Sequence, residues 1–331
     1  MPVQSEDYVP FAQRPEWADV VPVPQYDGVQ PLAPIFYTPE YKDATDYFRG
    51  IVKTGEMSER VLVLTEEVIR MNPAHYSAWQ YRYRTLLAIN ASLKDELEFT
   101  KGLAIAHLKT YQVWHHRRLL LAATNDPADE LRFLESVLNV DVKNYHTWSY
   151  RQWVLAHFDR EEMWAGEVDY VDRLLEEDLR NNSAWHHRFF ITFQRAGKDT
   201  REDVVKRELV FAKQKIALAP NNMSAWNYLR GVLDYSHTPY ASQEDFVRPY
   251  TGTQVPLSFD SDVIDVENPL PSEGSRLPAV PAIEFLADIY EVEGKEGVDE
   301  AIPLWKSLAE EHDTIRKKYW EYRIHEAVTA A

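Results

Sequence analysis

One pattern constrains this chain more than any other: a tryptophan followed three residues later by an arginine, recurring along the sequence. The copies are Trp79/Arg82, Trp114/Arg117, Trp148/Arg151, Trp185/Arg188 and, near the end, Trp320/Arg323. A looser copy, Trp226-Asn-Tyr-Leu-Arg230, carries its arginine one residue late, and together these motifs use six of the ten tryptophans. Successive tryptophans from Trp79 to Trp226 stand 35, 34, 37 and 41 residues apart, the length of a helix–turn–helix unit. The spacing predicts an all-α fold of stacked helical hairpins.

Each unit reads in two parts. Upstream of the tryptophan lies an amphipathic stretch: Val61, Leu64 and Val68 in the first, Leu131, Leu134 and Leu138 in the third, Val168, Val171 and Leu175 in the fourth, all at helical spacing. A polar turn follows, such as Asn72-Pro73, Lys143-Asn144, Asn181-Asn182 or Pro220-Asn221-Asn222, which ends one helix and caps the next. Asp126-Pro127 and Thr200 with Asp203 read as further helix starts. Tryptophan and arginine at i and i+3 share one helix face, so the indole fills the space between helices while the guanidinium finds a carboxylate or carbonyl. The motif therefore defines architecture rather than chemistry.

Two segments fall outside the repeat. Residues 1–40 are rich in Pro and Tyr and read as an extended arm lying on a surface or partner. From about 236 to 281 the chain holds Pro239, Pro249, Pro256, Pro269, Pro271, Pro278 and Pro281 and reads as an inserted long loop. Helical patterning returns at Ile283, so residues 41–331 are expected to form one repeat domain interrupted by this insertion.

Composition removes several functions. There is no cysteine, hence no disulfide, thiolate metal site or thiol nucleophile on this chain. A formal charge of −17 repels nucleic acid and anionic lipid. No apolar run is long enough to span a bilayer, and MPVQSEDYVP lacks the basic and apolar regions of a secretory signal, so the expected address is the cytoplasm. His115-His116 and His186-His187 resemble metal ligands, but adjacent helical residues point about 100° apart and cannot chelate as i,i+4 pairs do. Gly-rich phosphate loops, His-Glu-x-x-His and Gly-x-Ser-x-Gly are missing, which disfavours a self-sufficient enzyme.

The turns Lys109-Thr-Tyr-Gln-Val-Trp114-His-His-Arg-Arg118 and Asn144-Tyr-His-Thr-Trp148 resemble the Asn-Tyr-x-x-Trp-x-x-Arg repeat of protein prenyltransferase α-subunits. Arg14-Pro-Glu-Trp17-Ala-Asp, Pro22-Val-Pro-Gln25, Asp46-Tyr-Phe-Arg49 and Asp313-Thr-Ile-Arg316-Lys are similar to segments of the α-subunit shared by protein farnesyltransferase and geranylgeranyltransferase type I. The resemblance covers about 14–235 and 283–323, leaving the Pro-rich insertion outside it. A Rab-type geranylgeranyltransferase α-subunit shares the repeat but usually carries additional domains, and a tetratricopeptide-like adaptor lacks the Asn-Tyr-x-x-Trp-x-x-Arg pattern.

The resemblance implies a crescent-shaped αα-superhelix around a β-subunit αα-barrel that supplies zinc, with magnesium as a candidate second ion. It implies an isoprenoid diphosphate as donor and, as acceptor, a protein cysteine in a Cys-aliphatic-aliphatic-X tail. A departing diphosphate gathers negative charge, which a cation and hydroxyls at helix N-termini stabilise. The resemblance gives that role to Lys109 with Tyr145, and sets Asn144 and His146 at the mouth of the site. It also implies that Gln112 meets the tail's carboxylate and that Tyr76 and Tyr111 shape the peptide pocket, with Thr110 in place of the family's asparagine.

Overall fold

The computed structural model describes residues 8–195, 202–252 and 265–330. Every regular element among them is helical. The chain divides into two compact units, Met1–Phe158 and Asp159–Ala331, with the boundary between the third and fourth tryptophan repeats.

In the first unit, α1 (Pro39–Thr54) precedes three hairpins: α2 (Glu59–Met71) with α3 (Tyr76–Ala88), α4 (Leu93–Ala106) with α5 (Tyr111–Thr124), and α6 (Glu130–Leu138) with α7 (Tyr145–Phe158). The second unit holds a short α8 (Glu161–Trp164), α9 (Glu167–Glu177) with α10 (Asn182–Phe189), and α11 (Glu202–Leu218) with α12 (Met223–Ser236). A short α13 (Glu244–Val247) then precedes α14 (Val280–Glu291), α15 (Lys295–Ser307) and α16 (Lys317–Ala330).

The hairpins form where apolar spacing and turn chemistry agree. Val61, Leu64 and Val68 are fully buried on α2. On α9 the buried face is Tyr170, Val171, Leu174 and Leu175, while Val168, expected to be inside, is exposed. Asn181 caps α10 by accepting from the amides of Ser183 and Ala184, and Asn222 caps α12 through Ser224. Asp126-Pro127 does not open a helix: α6 starts at Glu130 after an intervening turn, and its N-cap Asp129 makes no side-chain cap bond. Thr200 lies outside the described residues.

The repeated tryptophan locks each turn onto its helix. Trp79, Trp114, Trp148, Trp185 and Trp226 each donate Nε1–H to the carbonyl six residues upstream, on Pro73, Leu108, Val142, Leu179 and Pro220, at 2.8–2.9 Å. Trp320 instead donates to the Asp313 carboxylate, so the final Trp/Arg pair copies the spacing without the turn.

The arginine fastens one hairpin to the next. Arg82 donates to Glu96 through Nε (2.7 Å) and Nη2 (2.6 Å), and its Nη1 reaches the Leu62 carbonyl twenty residues back. Arg117 repeats this with Glu130 and the Leu97 carbonyl, and Arg188 pairs with Glu208. A second donor joins some of these carboxylates: His116 on Glu96 and Tyr228 on Glu208. In α12 the arginine has slipped to Arg230, which pairs with Asp288.

Ahead of α1, residues 8–38 hold two 3-10 turns. Phe11 and Trp17 are buried, 5.1 Å apart and each packed on Tyr47, while Arg14 forks onto Glu67. Gly50 allows the strap to cross α1, since a Cβ there would meet the Val21 carbonyl at 2.5 Å.

The Pro-rich segment is not simply a loop. Tyr240–Gln243, α13 and Arg248–Thr251 form consecutive helical turns. Their Phe246, Val247 and Tyr250 are buried, with Trp226 beside Phe246 and Tyr250. Val247→Ala is therefore expected to lower stability by about 1.5–3 kcal/mol, measured by chemical denaturation. A loop residue would cost under about 0.5 kcal/mol, and that result would remove this segment from the core.

Candidate functional site

The second helices of successive hairpins run side by side in the first unit. Trp79 meets His116 at 4.6 Å, Tyr111 meets His146 at 4.3 Å and Trp114 meets Tyr150 at 5.5 Å, so α3, α5 and α7 lie parallel with neighbouring starts. Their first residues are Tyr76, Tyr111 and Tyr145, exposed by 73%, 67% and 70%. A tyrosine ring normally hides its apolar face, so three exposed ones at adjacent helix starts mark a surface built for contact.

A cleft of about 510 Å³ opens between α3 and α5. It brings together Tyr76, Tyr111 and Gln112 from the expected set, and adds Trp79, Tyr83 and His116, which sequence reasoning did not place there. His116 is buried beneath it, with Nε2 2.8 Å from Glu96 Oε1. Burial pushes its pKa below the usual histidine range, against the opposing pull of the Glu96 carboxylate, which accepts from Nε2–H. A regular signal existed: Glu96 precedes His116 by twenty residues, as Glu167 precedes His187 and Glu208 precedes Tyr228.

The other expected residues lie beside the cleft rather than in its walls. His146 is half-buried, edge-on to both Tyr111 and Tyr145, and desolvation lowers its pKa. Asn144 is buried and opens α7: its Oδ1 accepts from the Thr147 amide and hydroxyl at 3.0 and 3.1 Å. Lys109 stands exposed in the turn before α5. Thr110, at the N-cap, makes no side-chain cap bond, so no cap side chain competes for the first amides of α5. A helix start of this kind with a lysine beside it favours an anion.

Among the described residues, no three His, Asp or Glu side chains converge as a metal ion requires. No helix among them is long and apolar enough to cross a membrane.

The pattern described as "Protein prenyltransferase alpha subunit repeat" matches residues 58–89, 93–124, 127–158, 164–195 and 205–236, the five tryptophan-locked hairpins. The "Protein farnesyltransferase/geranylgeranyltransferase type-1 subunit alpha" of Dictyostelium discoideum is 35% identical over 329 residues, 97% of this chain and 95% of that protein. The chain belongs to the family of protein farnesyltransferase/geranylgeranyltransferase type-1 α-subunits. Its fold matches the solved "Candida albicans protein geranylgeranyltransferase-I complexed with GGPP" with a TM-score of 0.79 and 30% identity, across 98% of this chain and 100% of that one. By contrast, the mouse "Geranylgeranyl transferase type-2 subunit alpha" is 31% identical over 60% of this chain and only 29% of that protein.

Proposed function

We propose that this chain is the α half of a heterodimeric protein prenyltransferase. The enzyme moves a farnesyl or geranylgeranyl group from its diphosphate to a cysteine thiol near the C-terminus of a substrate protein. The observation that carries this reading is the match over 97% of the chain to a relative named as the subunit of both enzymes.

In this reading Lys109 and the first amides of α5 receive the charge that builds on the diphosphate oxygen as the carbon–oxygen bond breaks. The Tyr145 hydroxyl and the His146 ring, whose pKa desolvation lowers, supply hydrogen bonds at the mouth. Asn144 acts through the turn it fixes, and keeps one amide hydrogen for a ligand. Tyr76 and Tyr111 wall the cleft that takes the substrate tail, and the Gln112 amide donates to the tail's terminal carboxylate. This chain's donors do not fit a zinc ion that binds a thiolate, having no cysteine and no convergent ligand set among the described residues. We assign zinc, and any magnesium, to surfaces completed by the β-subunit, in the cytoplasm.

Co-expression with a farnesyl-type and with a geranylgeranyl-type β-subunit tests this. The expected result is a stable heterodimer that transfers the matching isoprenoid to a Cys-aliphatic-aliphatic-X peptide, with no turnover by the chain alone. Failure to associate with either partner would overturn the reading.

A further inference from the structure

The turn before a tryptophan helix needs a side chain that accepts the first free amides, and in three repeats it is an asparagine. Asn144 accepts from the amide three residues on at 3.0 Å, Asn181 from those two and three residues on at 3.1 and 3.2 Å, and Asn222 from the one two residues on at 3.2 Å. An amide oxygen accepts at any pH near neutrality. At the start of α3 the same position is His75, whose ring Nδ1 accepts from the Ala78 amide at 3.1 Å. A ring nitrogen accepts only while it carries no proton, so this cap, unlike the asparagines, depends on pH.

The half-buried ring is held from several sides. Phe48 and Tyr41 of α1 meet it edge-on at 5.6 and 6.4 Å. Asn72, at the end of α2, accepts from the His75 amide at 3.0 Å and donates to the Tyr41 hydroxyl at 2.8 Å. Its titratable neighbour on α3 is Tyr76. The charge that bears on it is Arg49 of α1, itself paired with Asp46. Desolvation lowers the ring's pKa and Arg49 adds to this, while a backbone hydrogen bond within His75 opposes it. The cap is therefore complete above the ordinary histidine value of about 6.5 and is lost as the pH falls through the lower value in the fold. The proton also places positive charge at the positive end of α3. The Ala78 amide keeps a second acceptor in the His75 carbonyl at 3.1 Å, so protonation loosens the first turn rather than opening the hairpin.

That turn carries Tyr76 and Trp79, both walls of the cleft. We infer that His75 is a pH-responsive positioning residue: its neutral ring holds the first turn of α3, and with it Tyr76, in the geometry that receives the substrate tail, and protonation releases that hold. The inference rests on the functional reading above, in which the cleft takes the tail.

Steady-state kinetics of the purified heterodimer with a Cys-aliphatic-aliphatic-X peptide test it, at about pH 7.5 and about pH 5, on either side of the ordinary histidine value. On going to the lower pH, the wild-type KM for peptide should rise about five- to ten-fold more than that of His75→Asn, with kcat changing alike in both. His75→Asn supplies the cap used by other turns, and any packing it loses against Phe48 is the same at both pH values. His115 and His116 on the cleft and His146 beside it are present in both proteins, so the difference reports His75 alone. His75→Ala, which has no acceptor, should show the raised KM already at the higher pH. Hydrogen exchange at the Ala78 amide should be faster in the wild type than in His75→Asn at the lower pH only. Equal pH responses of KM in wild type and His75→Asn overturn the inference, as does a difference in exchange with none in KM. Absence of turnover at either pH sinks the functional reading, whereas turnover with equal pH responses sinks the role of His75 alone.

Discussion

Glu96→Ala is expected to destabilise the first unit by about 3–5 kcal/mol, the usual cost of removing one member of a buried ion pair. Glu96 is 3% exposed and accepts from both Arg82 and His116. Its loss leaves the Arg82 guanidinium, 4% exposed, with no carboxylate, held by the Leu62 carbonyl, the Thr65 hydroxyl and the face of Phe99. For a unit of this size the change corresponds to a fall in Tm of about 6–20 °C. The control lies two residues along the same helix, where Glu98 makes an exposed pair with Lys101. Glu98→Ala should cost no more than about 1 kcal/mol. Glu96→Gln, which keeps one acceptor oxygen, should fall between the two. Thermal unfolding of the three variants measures the ordering, and equal effects at 96 and 98 would show that the buried joint contributes nothing special.

Lys109→Ala is expected to lower kcat of the heterodimer by about a hundred- to a thousand-fold, equivalent to about 2.7–4 kcal/mol of transition-state stabilisation. Its ammonium should hold the diphosphate more strongly as it departs than when it first binds, so kcat falls further than the affinity for the isoprenoid diphosphate. Folding should hardly change, because the side chain is exposed in a turn. Lys143 occupies the corresponding turn one hairpin later, and Lys143→Ala should cost much less. Single-turnover kinetics with both variants decide the matter. A wild-type rate in Lys109→Ala, or equal losses at the two lysines, would remove Lys109 from the reaction.

Much of the architecture was legible because one residue type does one job in every repeat. The indole must donate its N–H when buried, and the carbonyl six residues back is always in reach. A fixed tryptophan spacing therefore implies a fixed turn. The arginine's carboxylate partner was not legible by spacing, since it lies fourteen residues ahead for Arg82, thirteen for Arg117 and twenty for Arg188. Those distances depend on how long each intervening turn is. Proline counting misjudged residues 240–251, because Pro249 sits at the start of a 3-10 turn, where a missing N–H costs little. Of the site, Tyr76, Tyr111 and Gln112, which the family resemblance alone sets at the substrate tail, line one cleft. His116 could not be placed there from sequence, because the burial that lowers its pKa comes from packing across helices, against Trp79 on α3, while Glu96 on α4 pulls the other way.

The arginine–glutamate joints also bear on how such a chain can change length. Arg82 meets Glu96, and Arg117 meets Glu130, through the same two guanidinium nitrogens, at distances that agree within 0.1 Å. The joints are chemically interchangeable. Excising the hairpin α4–α5 as a block would bring Arg82 to Glu130 and orphan no buried charge, whereas a cut inside a hairpin would leave one unpaired. Deletions and duplications in whole-hairpin steps are thus the ones this fold tolerates, and the same grammar that holds the array together sets the unit in which it can be edited.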